Sequence, residues 1–413
     1  MSKDPKLFLG EIPIKKIKNG ESLIAKILTG DSLLFDFTVT LEKIILAFGN
    51  DPISVITSTN RILKWTLYDA EGQPEDPQQI EMPITLEPNE TLKWYSTYAF
   101  TSEGRVIDIN QDTDITSTYL LDTDEKIVDF KDNRTTFSTT RITMALTSNH
   151  RIFTWGRNNE GAIGDGTNDN PTDPVDITSN FNFDLDEYPM SIYVGSGWRG
   201  RSSMALLTSK QRIYTWGQNS NNQLGNGNTT DTNLPVVVFS SNDLDTNEEI
   251  KIFDYNGKLG WVITTNDRIF IWGQATYGES GTGGATYPWE YPTPTDITSH
   301  LSLESGEEIE GFYHEDEVSL LITSYGKIYA AGCDDAGQAS KNSLGITKEW
   351  TEIQHHFNLE EEDYIENIFR LDKGTLFISK EGRIFEWGWE YEGIGSKERV
   401  EITDLGDLIN IGN

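Results

Sequence analysis

The chain is predicted to be all-β, a seven-bladed β-propeller of four-stranded antiparallel blades with eight blades as the fallback. Three observations predict it. One hairpin pattern recurs seven times along 413 residues, and the strand after its turn is apolar on both parities. The recurrence distance, 44 to 61 residues, is what one four-stranded blade consumes.

The hairpin is fullest as "ALTSNHRIFTWG" at 145–156: an apolar pair, Thr-Ser, a two-residue turn, a cation and a strand ending in Trp-Gly. The other copies end at Trp65, Ile109, Gly217, Gly273, Gly332 and Gly388, with the cation at Arg61, Arg105, Arg151, Arg212, Arg268, Lys327 and Arg383. The second turn residue is Gly104, Gly326, Gly382 or Asn60 in four copies, residues that tolerate the positive φ of a tight hairpin. In the strand that follows, Ile152 points one way and Phe153 and Trp155 the other. Both sheet faces must then be covered, which like sheets stacked radially achieve without helices. Trp155, Trp216, Trp272 and Trp387 share one repeat position and are read as packing between blades. Gly156, Gly217, Gly273 and Gly388 behind them permit the close backbone turn that follows.

Each interval between hairpins holds one further strand, among them "KIILAF", "LKWYS", "KIVDF", "SIYVG", "IKIFDY", "IEGFY" and "ENIFRL". Segments such as "PVDIT" at Pro174 and "PTDIT" at Pro294 supply a fourth. A hairpin-like stretch, "ILTGDSLLFDF" at 27–37, lies too close to Arg61 for another full unit. Residues 33–39 are therefore read as the outer strand of the first blade, 1–30 as an N-terminal strap and closure segment, and 31–413 as a single propeller domain. The last stretch, "VEITDLGDLINIGN", offers closing strands.

Composition bounds the function. A single cysteine, Cys333, excludes an intramolecular disulfide and a zinc site built on two thiolates. The N-terminal stretch lacks a secretory h-region and the apolar runs are too short for a membrane helix, so a soluble, cytoplasmic protein is expected. The formal net charge of −33 disfavours direct binding to nucleic acid or anionic membranes and favours a basic partner.

Units three and four, "TSNHRIFTWGRNNEGAIGDGTNDNPTDPVDI" and "TSKQRIYTWGQNSNNQLGNGNTTDTNLPVVV", resemble the repeat of the regulator of chromosome condensation family. The likeness weakens outward. Unit five reads "WGQATYGESGTGG", unit six has Ala331 where Trp is expected, unit seven reads "WGWEYEGIG", and the first two units keep only the hairpin. The His that the family places ahead of the hairpin is missing, as in "GSGWRGRSSMAL". The resemblance implies a divergent seven-bladed propeller. It also implies two rival activities: guanine-nucleotide exchange on a small GTPase, as the founding member performs on Ran, and enzyme inhibition through a propeller face, as in a secreted β-lactamase inhibitor of similar fold.

No catalytic, cofactor-binding or metal-binding residues are assigned. His150, His300, His314, His355 and His356 form no i, i+4 pair, and the nucleophile-elbow and P-loop patterns are missing. "GDGTNDN" at 164–170 lacks the order of a calcium loop. What varies informatively is acidic: runs ahead of the first strand of successive units contribute Asp184, Asp186, Asp243, Asp245, Glu307, Glu308, Glu360, Glu361 and Glu362. Equivalent loops of a propeller share a face, so these carboxylates are expected to form an arc that concentrates a cationic partner. The expected function is a non-enzymatic, monomeric protein-binding scaffold that presents this acidic face to a basic protein.

Overall fold

The structure is a computed structural model. It describes side chains over residues 90–93, 98–108, 113–133, 141–195, 202–283, 290–314, 318–332 and 348–354, at Leu86 and at scattered positions between Phe357 and Ser379, and backbone alone for the strands beyond these. The chain divides into two compact units, residues 1–82, 325–346 and 351–413, and residues 83–324 with 347–350.

The strands pair in chain order into eight four-stranded antiparallel sheets. They are β1–β4 (Lys6–Leu9, Ile12–Lys15, Ser22–Thr29, Ser32–Thr40), β5–β8 (Ile44–Phe48, Ile53–Thr57, Ile62–Trp65, Gln78–Ile80) and β9–β12 (Leu92–Tyr95, Tyr98–Thr101, Val106–Asp108, Thr113–Asp114). Next come β13–β16 (Ile127–Asp132, Ile142–Thr147, Ile152–Gly156, Val175–Asp176), β17–β20 (Pro189–Val194, Ser203–Thr208, Ile213–Gly217, Thr232–Phe239) and β21–β24 (Ile250–Tyr255, Leu259–Thr264, Ile269–Ala275, Trp289–Asp296). The last two are β25–β28 (Ile309–Glu315, Val318–Thr323, Ile328–Cys333, Ile346–Glu352) and β29–β32 (Ile365–Leu371, Gly374–Ser379, Ile384–Gly388, Val400–Glu401). Five sheets, β9 through β28, carry most of the described side chains.

Each of the seven expected hairpins is a strand pair, and the intervening runs are the first strands β5, β9, β13, β17, β21, β25 and β29. The N-terminal reading is corrected. Ser32–Thr40 pairs with Ser22–Thr29 in the first sheet, so the stretch expected as an outer strand of β5–β8, and most of the expected strap at 1–30, form a sheet of their own. That is one sheet more than the seven anchors mark, because this sheet has neither the cation nor the Trp-Gly end by which the others are recognised. The segment 402–413 lies outside the described residues.

Strands β14, β22 and β26 are buried along their whole length, as doubly covered sheets require. Among the described residues no helix is long and apolar enough to cross a membrane.

The tryptophans join neighbouring blades. Trp216, fully buried on β19, donates its indole N–H to the Ala162 carbonyl in the loop after β15 at 2.9 Å and meets Phe181 edge-on at 5.4 Å. Trp155 packs edge-on against Tyr119 of the preceding blade at 5.2 Å. Glycines in the preceding loop make room: a Cβ on Gly164 would stand 2.7 Å from the Trp216 indole, and one on Gly225 2.6 Å from Trp272. In the sixth unit, where Ala331 replaces the expected Trp, Trp350 of β28 takes the corresponding place over Gly281, whose Cβ would stand 2.5 Å from its indole nitrogen. Gly156, Gly217 and Gly273 lie at φ +112, +96 and +101, against backbone that a Cβ would strike. Trp387 and Gly388 end β31; the side chain of Trp387 lies outside the described residues.

Candidate functional site

At one end of the sheets that begin with β13, β17, β21 and β25, the hairpin tip meets the acidic turn that leads into the first strand. The turn is four residues long: 122–125, 184–187, 245–248 and 304–307. Its third residue, Asp124, Asp186, Asn247 or Gly306, takes left-handed φ, at 63, 61, 64 and 84. Its fourth is a glutamate whose carboxylate folds back onto the first residue's N–H: Glu125 on Asp122 at 2.8 Å, Glu187 on Asp184 at 2.8 Å, Glu248 on Asp245 at 2.7 Å, Glu307 on Glu304 at 2.8 Å. These four glutamates are buried.

Burying a carboxylate costs heavily unless it is paired and hydrogen-bonded. The hairpin supplies both. The Thr of the repeated Thr-Ser, Thr-Thr in the β21–β24 blade, donates its hydroxyl to the second carboxylate oxygen, from Thr208 to Glu187 and from Thr323 to Glu307 at 2.6 Å, and likewise from Thr147 to Glu125 and Thr264 to Glu248. The anchor cation then closes the pair: Arg212 meets Glu187 at 2.7 Å, Arg268 meets Glu248 at 2.9 Å, and Arg151 meets Glu125. Arg105 reaches Glu90 in the same manner at 3.0 Å. Bonding to Arg151, with the Thr147 hydroxyl and the Asp122 N–H, holds the Glu125 carboxyl down at about 2 despite its burial. Burial pushes the Glu248 carboxyl up, but the Asp245 N–H, the Thr264 hydroxyl and Arg268 outweigh it and leave it lowered.

The arginines also hold the outer strand. Arg105 contacts Asp114 at 3.1 Å, Arg151 contacts Asp176 at 3.5 Å and Arg268 contacts Asp296 at 3.2 Å. In each Asp-Ile-Thr the aspartate caps the Thr N–H, and the Thr hydroxyl accepts the N–H of Val106, Ile152 or Ile269. The second turn residue reaches the next blade: Gln211 and Asp267 accept the N–H groups of Ile250 and Ile309 at 2.7 and 2.9 Å, and the His150 ring lies 4.5 Å from Tyr188.

The acidic residues singled out by sequence thus divide. Asp184, Asp186, Asp243, Asp245 and Glu308 are exposed at this end of the blades. Asp184 and Asp245 share one turn position, Asp186 holds another, and Asp243 and Glu308 flank the turn, so the group does not recur at a single position. Glu307 is buried and structural. Glu360, Glu361 and Glu362 lie outside the described residues. Sequence reading missed Glu125, Glu187 and Glu248, although each stands two residues before its first strand, as do Glu90 and Glu307. Among the described residues no three His, Cys, Asp or Glu side chains gather as metal ligands. Within 164–170, Asp165 accepts the Thr167 N–H, and Asn170 caps Asn158.

The pattern described as "Regulator of chromosome condensation (RCC1) repeat" matches residues 149–199 and 210–251. The Ultraviolet-B receptor UVR8 of Arabidopsis thaliana is 23% identical over 246 residues, 60% of this chain and 50% of the receptor, so the match spans about half of that relative's length. Among solved structures, human WBSCR16 superposes with a TM-score of 0.52 at 15% identity, covering 88% of this chain and 81% of that one. Prp20p of Saccharomyces cerevisiae, described with its binding properties to Gsp1p and histones, gives 0.53 at 16% identity over 74% and 73%. The chain is thus a β-propeller of four-stranded antiparallel blades, and at 149–199 and 210–251 it carries segments that match the regulator of chromosome condensation repeat.

Proposed function

We propose that the protein is a non-enzymatic scaffold that binds a basic protein through the acidic turn end of its blades. One observation carries this reading. The anchor arginines at that end are turned inward onto buried glutamates, leaving Asp124 and Asp186 exposed with no cation at ion-pair distance among the described residues. Exposed like charges at equivalent turns add their potentials and raise the local concentration of a cationic partner. Charge arranged so mainly accelerates encounter, and salt screens it beyond about 8 Å at physiological ionic strength.

The test uses core histones as a basic probe. Asp124→Asn and Asp186→Asn together should slow association and leave dissociation nearly unchanged, and wild-type association should fall steeply with salt. Association indifferent to salt and to both substitutions would leave the turns as a solubilising rim. Regulation of a small GTPase is the second reading, favoured by the Gsp1p binding described for Prp20p, and a nucleotide-release assay on a panel of GTPases would decide it.

A further inference from the structure

The repeat provides an internal control for which side chains the turns need. The residue two places before each acidic turn is Leu120, Asn182, Asp243 or Ser302, and the fold uses its backbone: Arg151, Arg212 and Arg268 donate to the carbonyls of Leu120, Asn182 and Asp243 at 3.2, 3.0 and 3.3 Å. The second turn residue is Thr123, Leu185, Thr246 or Ser305, and the residue after the buried glutamate is Lys126, Tyr188, Glu249 or Glu308. Polar residues therefore serve at all three places. They are apolar only at Leu120, ahead of the turn into β13, and at Leu185 and Tyr188, in and after the turn into β17. Leu120 is 81% and Leu185 84% exposed, and the β14–β15 hairpin links the two turns, its Arg151 holding the Leu120 carbonyl and its His150 ring lying beside Tyr188, itself 43% exposed.

The charges around these side chains are predominantly acidic. Asp122, Asp124, Asp184 and Asp186 are exposed there, Asp184 with one link to Arg212 at 3.3 Å. Of the nearby lysines, Lys126 is engaged by Glu103 at 2.9 Å and Lys210 donates to the Leu185 carbonyl at 2.6 Å.

From this we infer that Leu120, Leu185 and Tyr188 are the apolar anchors of a docking site for an amphipathic basic segment of a partner protein, one whose leucine-like side chains cover them while its Lys or Arg residues meet the flanking aspartates. The inference rests on the acidic-face reading and names the partner's chemistry. An apolar centre inside a charged rim is the usual division between residence time and encounter in an interface. An acidic amphipathic segment would meet like charge, and a purely basic one would leave the leucines in water.

Three short synthetic peptides test it by fluorescence anisotropy on the full chain: one alternating Lys and Leu, one with Ser for Leu, one with Glu for Lys. The first should bind about tenfold more tightly than the second, the scale expected from partly burying two leucines. The third should not bind. Leu120→Asn with Leu185→Thr, both residues that sister blades already carry, should bring the Lys-Leu peptide to the Lys-Ser level and leave Lys-Ser binding unchanged. Equal binding of both cationic peptides to wild type, or no effect of the double substitution, would overturn the inference while leaving the charge reading intact. Binding of the Lys-Ser peptide that ignores salt and the Asp124→Asn, Asp186→Asn pair would instead overturn the charge reading beneath it.

Discussion

Arg212 and Glu187 meet at 2.7 Å with the carboxylate buried, and Thr208 joins them, donating to the carboxylate at 2.6 Å while accepting the Arg212 N–H at 3.2 Å. This three-residue circuit recurs around Arg151 and Arg268, so the repeated Thr-Ser, the cation and the glutamate before the first strand are one device. It ties the hairpin to the start of its own sheet.

Glu187→Ala should therefore destabilise the protein by about 3 kcal/mol, since it removes the one buried carboxylate to which Arg212, the Thr208 hydroxyl and the Asp184 N–H all donate. Asp186→Asn, one residue away and exposed, should cost under about 0.5 kcal/mol. Denaturant unfolding of the two variants checks the contrast, and equal effects would mean the glutamate is not structural.

The circuit sets a pH dependence. The folded-state proton affinity of Glu125 lies below that of the free carboxylate, which titrates near 4.5, and is held at about 2. The contribution of this contact to stability is present above about 4.5 and is lost as pH falls through about 2. The stability difference between wild type and Glu125→Gln, followed by thermal melts, should shrink across that interval. A difference that stays constant would place the carboxylate outside the ion pair.

Trp216→Ala should cost about 3 to 5 kcal/mol, the usual loss for a large aromatic truncated in a core. Gly225→Ala should be strongly destabilising as well, because its Cβ would stand 2.6 Å from the Trp272 ring at φ +70. Unchanged melting of either variant would argue against tryptophan packing between blades.

Much of this architecture was legible because the hairpin keeps Trp, Gly and the cation in fixed order within a dozen residues. The role of the glutamates was hidden by distance: Glu125 lies 26 residues before Arg151, Glu187 25 before Arg212 and Glu248 20 before Arg268, offsets that drift with loop length. Inside runs such as "DLDE" the buried acid has the same composition as its exposed neighbours, and only its constant place two residues before the strand betrays it. Trp350 was hidden for a related reason, since it fills the repeat's tryptophan slot from a different strand. The sheet of β1–β4 has no anchor cation or Trp-Gly end by which to recognise it.

The claim that the acidic turn end is the binding face is tested most directly by hydrogen-exchange footprinting of the full chain with and without core histones. The account predicts added protection at 120–126, 148–151, 184–188, 209–211 and 245–249, weakening with salt. Protection confined to the loops at the other end of the blades, 157–171 and 218–231, would contradict it.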